Sequence, residues 1–295
     1  MERIYFDNAA TTPIDTDVLE AMLPFFKEQF GNPSSIYSYG RETRMAIEKA
    51  RKSIAAILGA KPAEIFFTSG GTESTNTVLH AAVTDLGCKH IISSPIEHHA
   101  TLHTVEYLAK VHHVKLSYVG ILPNGHIDIN QLEELLNNSS EKTIVTIMHA
   151  NNEIGNCINL NEVGALCKKH SAYFHSDTVQ TVGHFNFDLK NIPVDFITGA
   201  GHKFHGPKGV GFAYVRKNLV LQPMIFGGEQ EKGWRAGTES VHQIAGMAKA
   251  VELALANLNE ERKGILELKN YLIERLEKEF PDFKINGSKK VNVRN

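Results

Sequence analysis

Apolar and polar positions along the chain recur with two different periods. Ile47, Ala50, Ile54, Ile57 and Leu58 follow three- and four-residue spacing, the stripe of a helix that buries one face, and Gly59 supplies a C-terminal stop. Short β-rich runs come next: EIFFTS, HIIS, VKLSY, TIVTIMH, AYFHSD, DFITG and VGFAYV, between residues 64 and 216. Most are separated by stretches with helical periodicity. Strands that are apolar throughout need cover on both faces. The pattern therefore predicts an α/β domain built on a mostly parallel seven-stranded sheet flanked by helices.

Beyond the last strand, VHQIAGMAKAVELALANL reads as a long helix. Ile265, Leu268, Leu272 and Leu276 mark a further amphipathic helix, with Pro281 as its stop. DFKING and KKVNVRN look like strands that open a smaller domain. The expected division is an N-terminal segment 1–15, a large domain 16–258 and the start of a small C-terminal domain 259–295. One helix and two strands do not make a self-standing core, so this small domain is expected to be incomplete.

Composition changes little in this picture. With 42% hydrophobic and 22% charged residues, the 295-residue chain is ordinary for a soluble globule. A net charge of −2 points to neither nucleic acid nor an anionic membrane. No apolar window is long enough for a membrane span, and MERIYFDNAATT lacks the apolar core of a signal peptide. Cys88, Cys157 and Cys167 are odd in number and not in C-x-x-C spacing, which reads as reduced thiols in a cytoplasmic protein. The adjacent pairs His98-His99 and His112-His113 do not chelate readily on extended backbone, and no metal site is expected.

Ligands of open parallel sheets bind outside the carboxyl ends of the strands, so the residues after each strand are the candidates. After EIFF, two glycines precede Thr72, expected as a helix N-cap. Free amides at a helix start plus a hydroxyl make an anion site, above all for phosphate. After HIISSPI, His98 is placed at the mouth of the sheet. After TIVTIMHA, Asn151, Asn152 and Glu153 offer hydrogen bonds to a planar ligand. After AYFHS comes Asp177, with Gln180 three residues on. An aspartate facing a pyridine nitrogen keeps it protonated and strengthens the ring as an electron sink. After DFITGAG comes His202-Lys203. A lysine partly desolvated beside other cationic groups has a lowered pKa and bonds to aldehydes. Lys208, in GPKG, is expected to face solvent. Singly, each of these is equally a cap, a turn or a surface residue. In this order they describe one ligand, with a phosphate, a ring whose nitrogen is protonated and an aldehyde: pyridoxal 5′-phosphate.

The motifs YFDNAATTP, FGNPSS, FTSGGTES, EHHA, MHANNEIG, SDTVQTVG, GHKFHGPKGVG and RAGTES carry a resemblance over essentially the whole chain. It resembles the class V aminotransferase superfamily of pyridoxal-phosphate enzymes, and within it the cysteine desulfurases. The resemblance implies the aspartate aminotransferase-like PLP-transferase fold. It implies that Lys203 bonds the cofactor aldehyde and later moves protons at the substrate Cα, with His98 stacked on the ring and taking part in acid–base steps. Asp177 would partner the ring nitrogen and Gln180 the ring hydroxyl. Gly71, Thr72 and His202 would hold the phosphate. Asn152 would lie near the ring and the substrate carboxylate. Thr238 would reach the phosphate of a neighbouring subunit's cofactor, which implies a homodimer with shared active sites. The implied activity converts L-cysteine to L-alanine and passes sulfur on as a persulfide to an acceptor or iron–sulfur scaffold protein. A selenocysteine lyase, an aminotransferase and a non-catalytic scaffold of the same fold stay open as alternatives.

Two departures from the family pattern stand out. Ala200 occupies a position that is usually serine, so one hydroxyl toward the phosphate is missing. The family's persulfide-forming cysteine and its carboxylate-binding arginine lie beyond residue 295, and Cys88, Cys157 and Cys167 match neither. The expectation is a chain that carries the cofactor half of a desulfurase and is inactive by itself.

Overall fold

A computed structural model describes residues 3–280 and 282–286. In chain order the helices are α1 (Thr16–Met22), α2 (Pro24–Lys27), α3 (Ser38–Ile57), α4 (Gly71–Thr84), α5 (His99–His112), α6 (Ile129–Asn137), α7 (Leu160–Lys169), α8 (Val241–Ala256) and α9 (Leu258–Glu279). The strands are β1 (Ile65–Thr68), β2 (His90–Ser93), β3 (Lys115–Tyr118), β4 (Thr143–Thr146), β5 (Tyr173–Asp177), β6 (Phe196–Ala200) and β7 (Gly211–Val215). They form one sheet in the order β1-β7-β6-β5-β4-β2-β3. Each of the seven strands expected between residues 64 and 216 is present. β7 runs antiparallel to both β1 and β6, while the other pairings are parallel. Because β1 is antiparallel to β7, it points the same way as the parallel strands. The carboxyl ends of β1, β2, β4, β5 and β6 therefore open on one edge.

The strands are apolar throughout because consecutive side chains serve two different helical layers. Ile92, Val145 and Ile197 join the core made with α1, α3 and α8. Their neighbours Ile91, Ile144 and Phe196 join the core made with α4 and α5. The predicted helix over Ile47–Leu58 begins earlier, at Ser38, and Gly59 ends it with φ 65°, a left-handed turn that favours glycine. Among the described residues no helix is long and apolar enough to cross a membrane.

The C-terminal region departs from the reading of the sequence. The amphipathic helix is present as α9, but its apolar stripe is uncovered: Ile265, Leu268 and Leu272 are exposed, and Leu258 is its only buried residue. Residues 282–286 form no strand. Pro281 and KKVNVRN lie outside the described residues.

One buried ion pair joins α3, β1 and the loop before α8. Arg51 and Glu231 meet in two parallel 2.8 Å bonds. Arg51 also donates to the Ile65 carbonyl (2.8 Å), and Glu231 accepts from the Phe67 N–H (2.9 Å). Glu231 and Lys232 have φ of 45° and 60°, a conformation costing about 1–3 kcal/mol per residue that persists only where its surroundings enforce it. Four residues later the chain reaches Arg235 and then Thr238. Replacing one member of such a pair strands the other charge. Glu231→Ala is expected to lose about 3–5 kcal/mol of folding stability in denaturant titration. The double variant Arg51→Met/Glu231→Met should recover most of that loss.

Candidate active site

At the shared carboxyl edge, a cavity of about 270 Å³ is lined by Gly71, Thr72, His98, Asn152, Asp177, Gln180, His202 and Lys203, together with Ala10, Ala100, Met148, Val179 and Ala200. Five strand ends deliver these side chains. The tight turn from β1 brings in the start of α4. Gly70 is its N-cap and no side chain caps it. Thr72, expected as the cap, instead sits inside the first turn, because the chain turns into the helix two residues earlier. A Cβ on Gly71 would stand 2.6 Å from Val179 Cγ2, so a glycine there lets the helix start pack directly on the loop that follows Asp177. Uncapped first-turn amides facing a cavity attract anions.

His98 is the N-cap of α5. Its Nδ1 accepts from the Ala100 N–H at 3.1 Å, which fixes the ring at the cavity mouth. Asp177 ends β5 and is 6% exposed. Burial pushes its carboxyl above the usual range, against a 2.9 Å bond from the Val179 N–H and the charges of His98 and Lys203. Lys203 closes the short helical turn after β6. Burial lowers its ammonium pKa, while Asp177 and Asp7 hold it up. Of the two expected causes, desolvation acts and cationic neighbours do not. His202 also titrates below its usual range, through burial and then through Lys203 and Lys208. Asn152 donates to Glu153 at 2.7 Å on the rim. Lys208 is exposed and borders a second, shallower cleft at the start of α4.

Thr238 is exposed and does not line this cavity. Its loop is nonetheless tied to it. Arg235 Nε donates to Glu73 Oε1 at 2.9 Å, and Glu73 Oε2 accepts from the Ser69 N–H at 2.9 Å. Burial by itself would raise the Glu73 pKa; the bonds from Arg235 and Ser69 bring it below the usual carboxylate value.

Several participants escaped the reading of the sequence. The N-terminal segment folds across the site. Lys203 Nζ donates to the Ala9 carbonyl and, at 2.9 Å, to the Ala10 carbonyl. Gln180 Nε2 donates to the same Ala9 carbonyl at 2.9 Å. Thr12 Oγ1 donates to the His202 carbonyl at 2.9 Å, and Thr11 Oγ1 bonds His202 Nδ1 at 3.1 Å. No periodicity signals such contacts, since the segment has no regular structure. Met148 and Glu97 also went unassigned. Glu97 carried one signal, as an acid in the otherwise uncharged run HIISSPIEHH.

The residues fit pyridoxal 5′-phosphate. A partly desolvated amine, a buried carboxylate, a fixed imidazole ring and an open helix N-terminus share one cavity, near the lower end of the roughly 300–1,000 Å³ typical of ligand sites, as suits a small planar group. None of the three cysteines lines that cavity. Cys88 and Cys167 are buried. Burial pushes the Cys88 thiol up to about 12, and the Cys157 and Cys167 thiols are raised by the same cause.

Below the cavity, His149 donates its backbone N–H to the Asp177 carbonyl (2.9 Å), and its Nδ1 bonds Thr181 Oγ1 (2.9 Å). Burial depresses its pKa from 6.5 to about 4. The unfolded chain therefore binds the extra proton between these values. The stability from neutral His149 is complete above pH 6.5 and is lost as pH falls through about 4. Melting temperatures across that range are expected to fall less steeply in His149→Asn than in the wild type.

The class-V aminotransferase family matches residues 4–295. The cysteine desulfurase IscS of Dictyoglomus turgidum is 46% identical over 286 residues, covering 96% of this chain and 72% of that protein. A solved NifS-like protein superposes with a TM-score of 0.90 at 41% identity, over 94% of this chain and 76% of that one. The structure of SspA in complex with cysteine superposes with a TM-score of 0.81 at 36% identity, over 85% of this chain and 72% of that one.

Proposed function

Because the chain belongs to the class-V aminotransferase family, we propose that its cavity holds pyridoxal 5′-phosphate and that the protein is a cysteine desulfurase, taking sulfur from L-cysteine and leaving L-alanine. One observation carries this reading: Lys203, Asp177, His98 and the uncapped start of α4 meet in a single cavity. The bound cofactor supplies an electron sink for the pair left on the substrate Cα when its proton departs.

The chain's own residues divide the remaining work. The amides of Gly71 and Thr72, with the Thr72 hydroxyl and His202, hold the phosphate. Asp177 would keep a proton on the ring nitrogen, its carboxylate also accepting from the Val179 N–H. His98 covers the ring face. Gln180 exchanges the Ala9 carbonyl for the ring hydroxyl. Lys203, now bonded to the Ala9 and Ala10 carbonyls, would be the residue that holds the cofactor's aldehyde end, and its lowered pKa favours the free amine that this requires. Lys203 Nζ would also be the base that takes the substrate Cα proton. Asn152, on the rim, orients the substrate carboxylate. Since no cysteine of this chain lines the cavity and burial raises each thiol pKa, the thiol that accepts the sulfur is none of these three. Thr238, exposed and held through Arg235, reaches the phosphate in a second copy of the chain within a homodimer.

Protein supplied with pyridoxal 5′-phosphate is expected to turn yellow and to be trapped by borohydride, and Lys203→Ala should abolish the trapping. L-cysteine by itself should give no alanine, and any turnover with an external thiol as sulfur acceptor should require Lys203. A protein that stays colourless would overturn the reading. Ala200 is 2% exposed and lines the cavity, so Ala200→Ser should restore the missing hydroxyl. Cofactor titration is expected to show Ala200→Ser binding about tenfold more tightly.

A further inference from the structure

Glu97 is 5% exposed and lies between β2 and α5, next to His98. Its Oε1 accepts from the Ser94 hydroxyl at 2.6 Å and from the Met148 N–H at 3.0 Å. Met148 belongs to the loop leaving β4. A second bond joins the same two segments: Asn151 Nδ2 donates to the Ile96 carbonyl at 2.7 Å. Asn151 Oδ1 in turn accepts from the N–H groups of Glu153 (2.9 Å) and Ile154 (3.0 Å), which shapes the turn bearing Asn152. The carboxyl thus sits where the His98 loop and the Asn152 loop are fastened together.

Its chemistry is unusual for such a clamp. Both donors to Oε1 are neutral, and Oε2 is buried with no hydrogen-bond partner. No cation pairs with it among the described residues. A charged carboxylate in that setting would carry a large desolvation cost. The titratable groups around it are Asp177, whose negative charge opposes ionisation, and His126 and Cys157 across a small cavity that Glu97 also lines. The adjacent His98 faces the cofactor cavity.

We propose that Glu97 is a positioning residue: held as the neutral acid, it locks the loop entering α5 to the loop leaving β4, and so sets His98 and Asn152 relative to one another across the cavity. Neutrality matters because a second buried anion beside Asp177 would compete with it for the charges of Lys203 and His98. Burial, with Asp177 adding to it, pushes the carboxyl up to about 8 against hydrogen bonds from Ser94 and Met148. The folded chain therefore holds a proton that the unfolded chain releases between pH 4.5 and about 8. The stability from this group is complete below pH 4.5 and is lost as pH rises through about 8.

The proposal rests on the function above only for the roles of His98 and Asn152. Two variants test it, Glu97→Gln and Glu97→Ala, each against the wild-type full chain. In melting experiments without cofactor, Glu97→Gln should gain on the wild type as pH rises from 5 to roughly 8. In titrations followed by the visible band of pyridoxal 5′-phosphate, Glu97→Gln should bind within about threefold of wild type, and Glu97→Ala about tenfold or more weakly. A constant offset between Glu97→Gln and wild type across that pH range overturns the neutral acid. Wild-type binding by Glu97→Ala overturns the positioning role. If Glu97→Ala does not fold, tenfold weaker binding by Glu97→Gln overturns it instead. Failure of the wild type to take up cofactor would count against the proposed function, while the melting comparison would still judge Glu97.

Discussion

Desolvation at the carboxyl edge of the sheet is the constraint on which the rest of this structure turns. Lys203, Asp177 and Glu97 are all withdrawn from water within one neighbourhood, and each charge must be answered there or given up. Lys203 is answered by two backbone carbonyls and by the charges of Asp177 and Asp7. Asp177 is answered by one amide and by its cationic neighbours. Glu97 has neither cation nor enough donors, and burial leaves it as the acid. The same low dielectric that makes these arrangements costly lowers the pKa of the Lys203 amine and raises those of the two carboxyls.

The supports around the edge follow from that demand. Five strand ends meet because β7 reverses direction between β1 and β6, which returns β1 to the common orientation. Ala9, Ala10, Thr11 and Thr12 bond to Gln180, His202 and Lys203 at the site. Behind it, the Arg51–Glu231 pair enforces a backbone turn that would otherwise be strained, and so presents the segment from Arg235 to Thr238 at a set place. Arg235 then joins that segment to the start of α4 through Glu73. The start of α4 and the loop bearing the exposed Thr238 are thereby joined through one run of side-chain bonds.

Much of this was legible in the residues. Seven apolar runs bounded by turn residues specified seven strands, because burial on both faces leaves little freedom in composition. The polar residues just past those runs were legible as candidates because an open parallel sheet collects its ligand groups at strand ends. Less legible were features without periodicity. The Ala9 and Ala10 carbonyls act through backbone, which any residue type supplies. The close approach of Val179 to Gly71 at the start of α4 joins residues over a hundred positions apart. The uncovered stripe of α9 is readable as a stripe, but its partner is not readable from the helix itself.

The sequence by itself determined the element types, their order and the inventory of reactive side chains, since periodicity, turn chemistry and residue identity are local properties. Only the tertiary structure decided which of those groups are dry, which are paired and which must stay neutral. Of the two causes its sequence suggests, Lys203 owes its lowered pKa to burial and not to cationic neighbours, and Glu97 is set apart from ordinary surface acids only by what packs around it. Solvation is a property of position in the fold, and no short stretch of sequence records it.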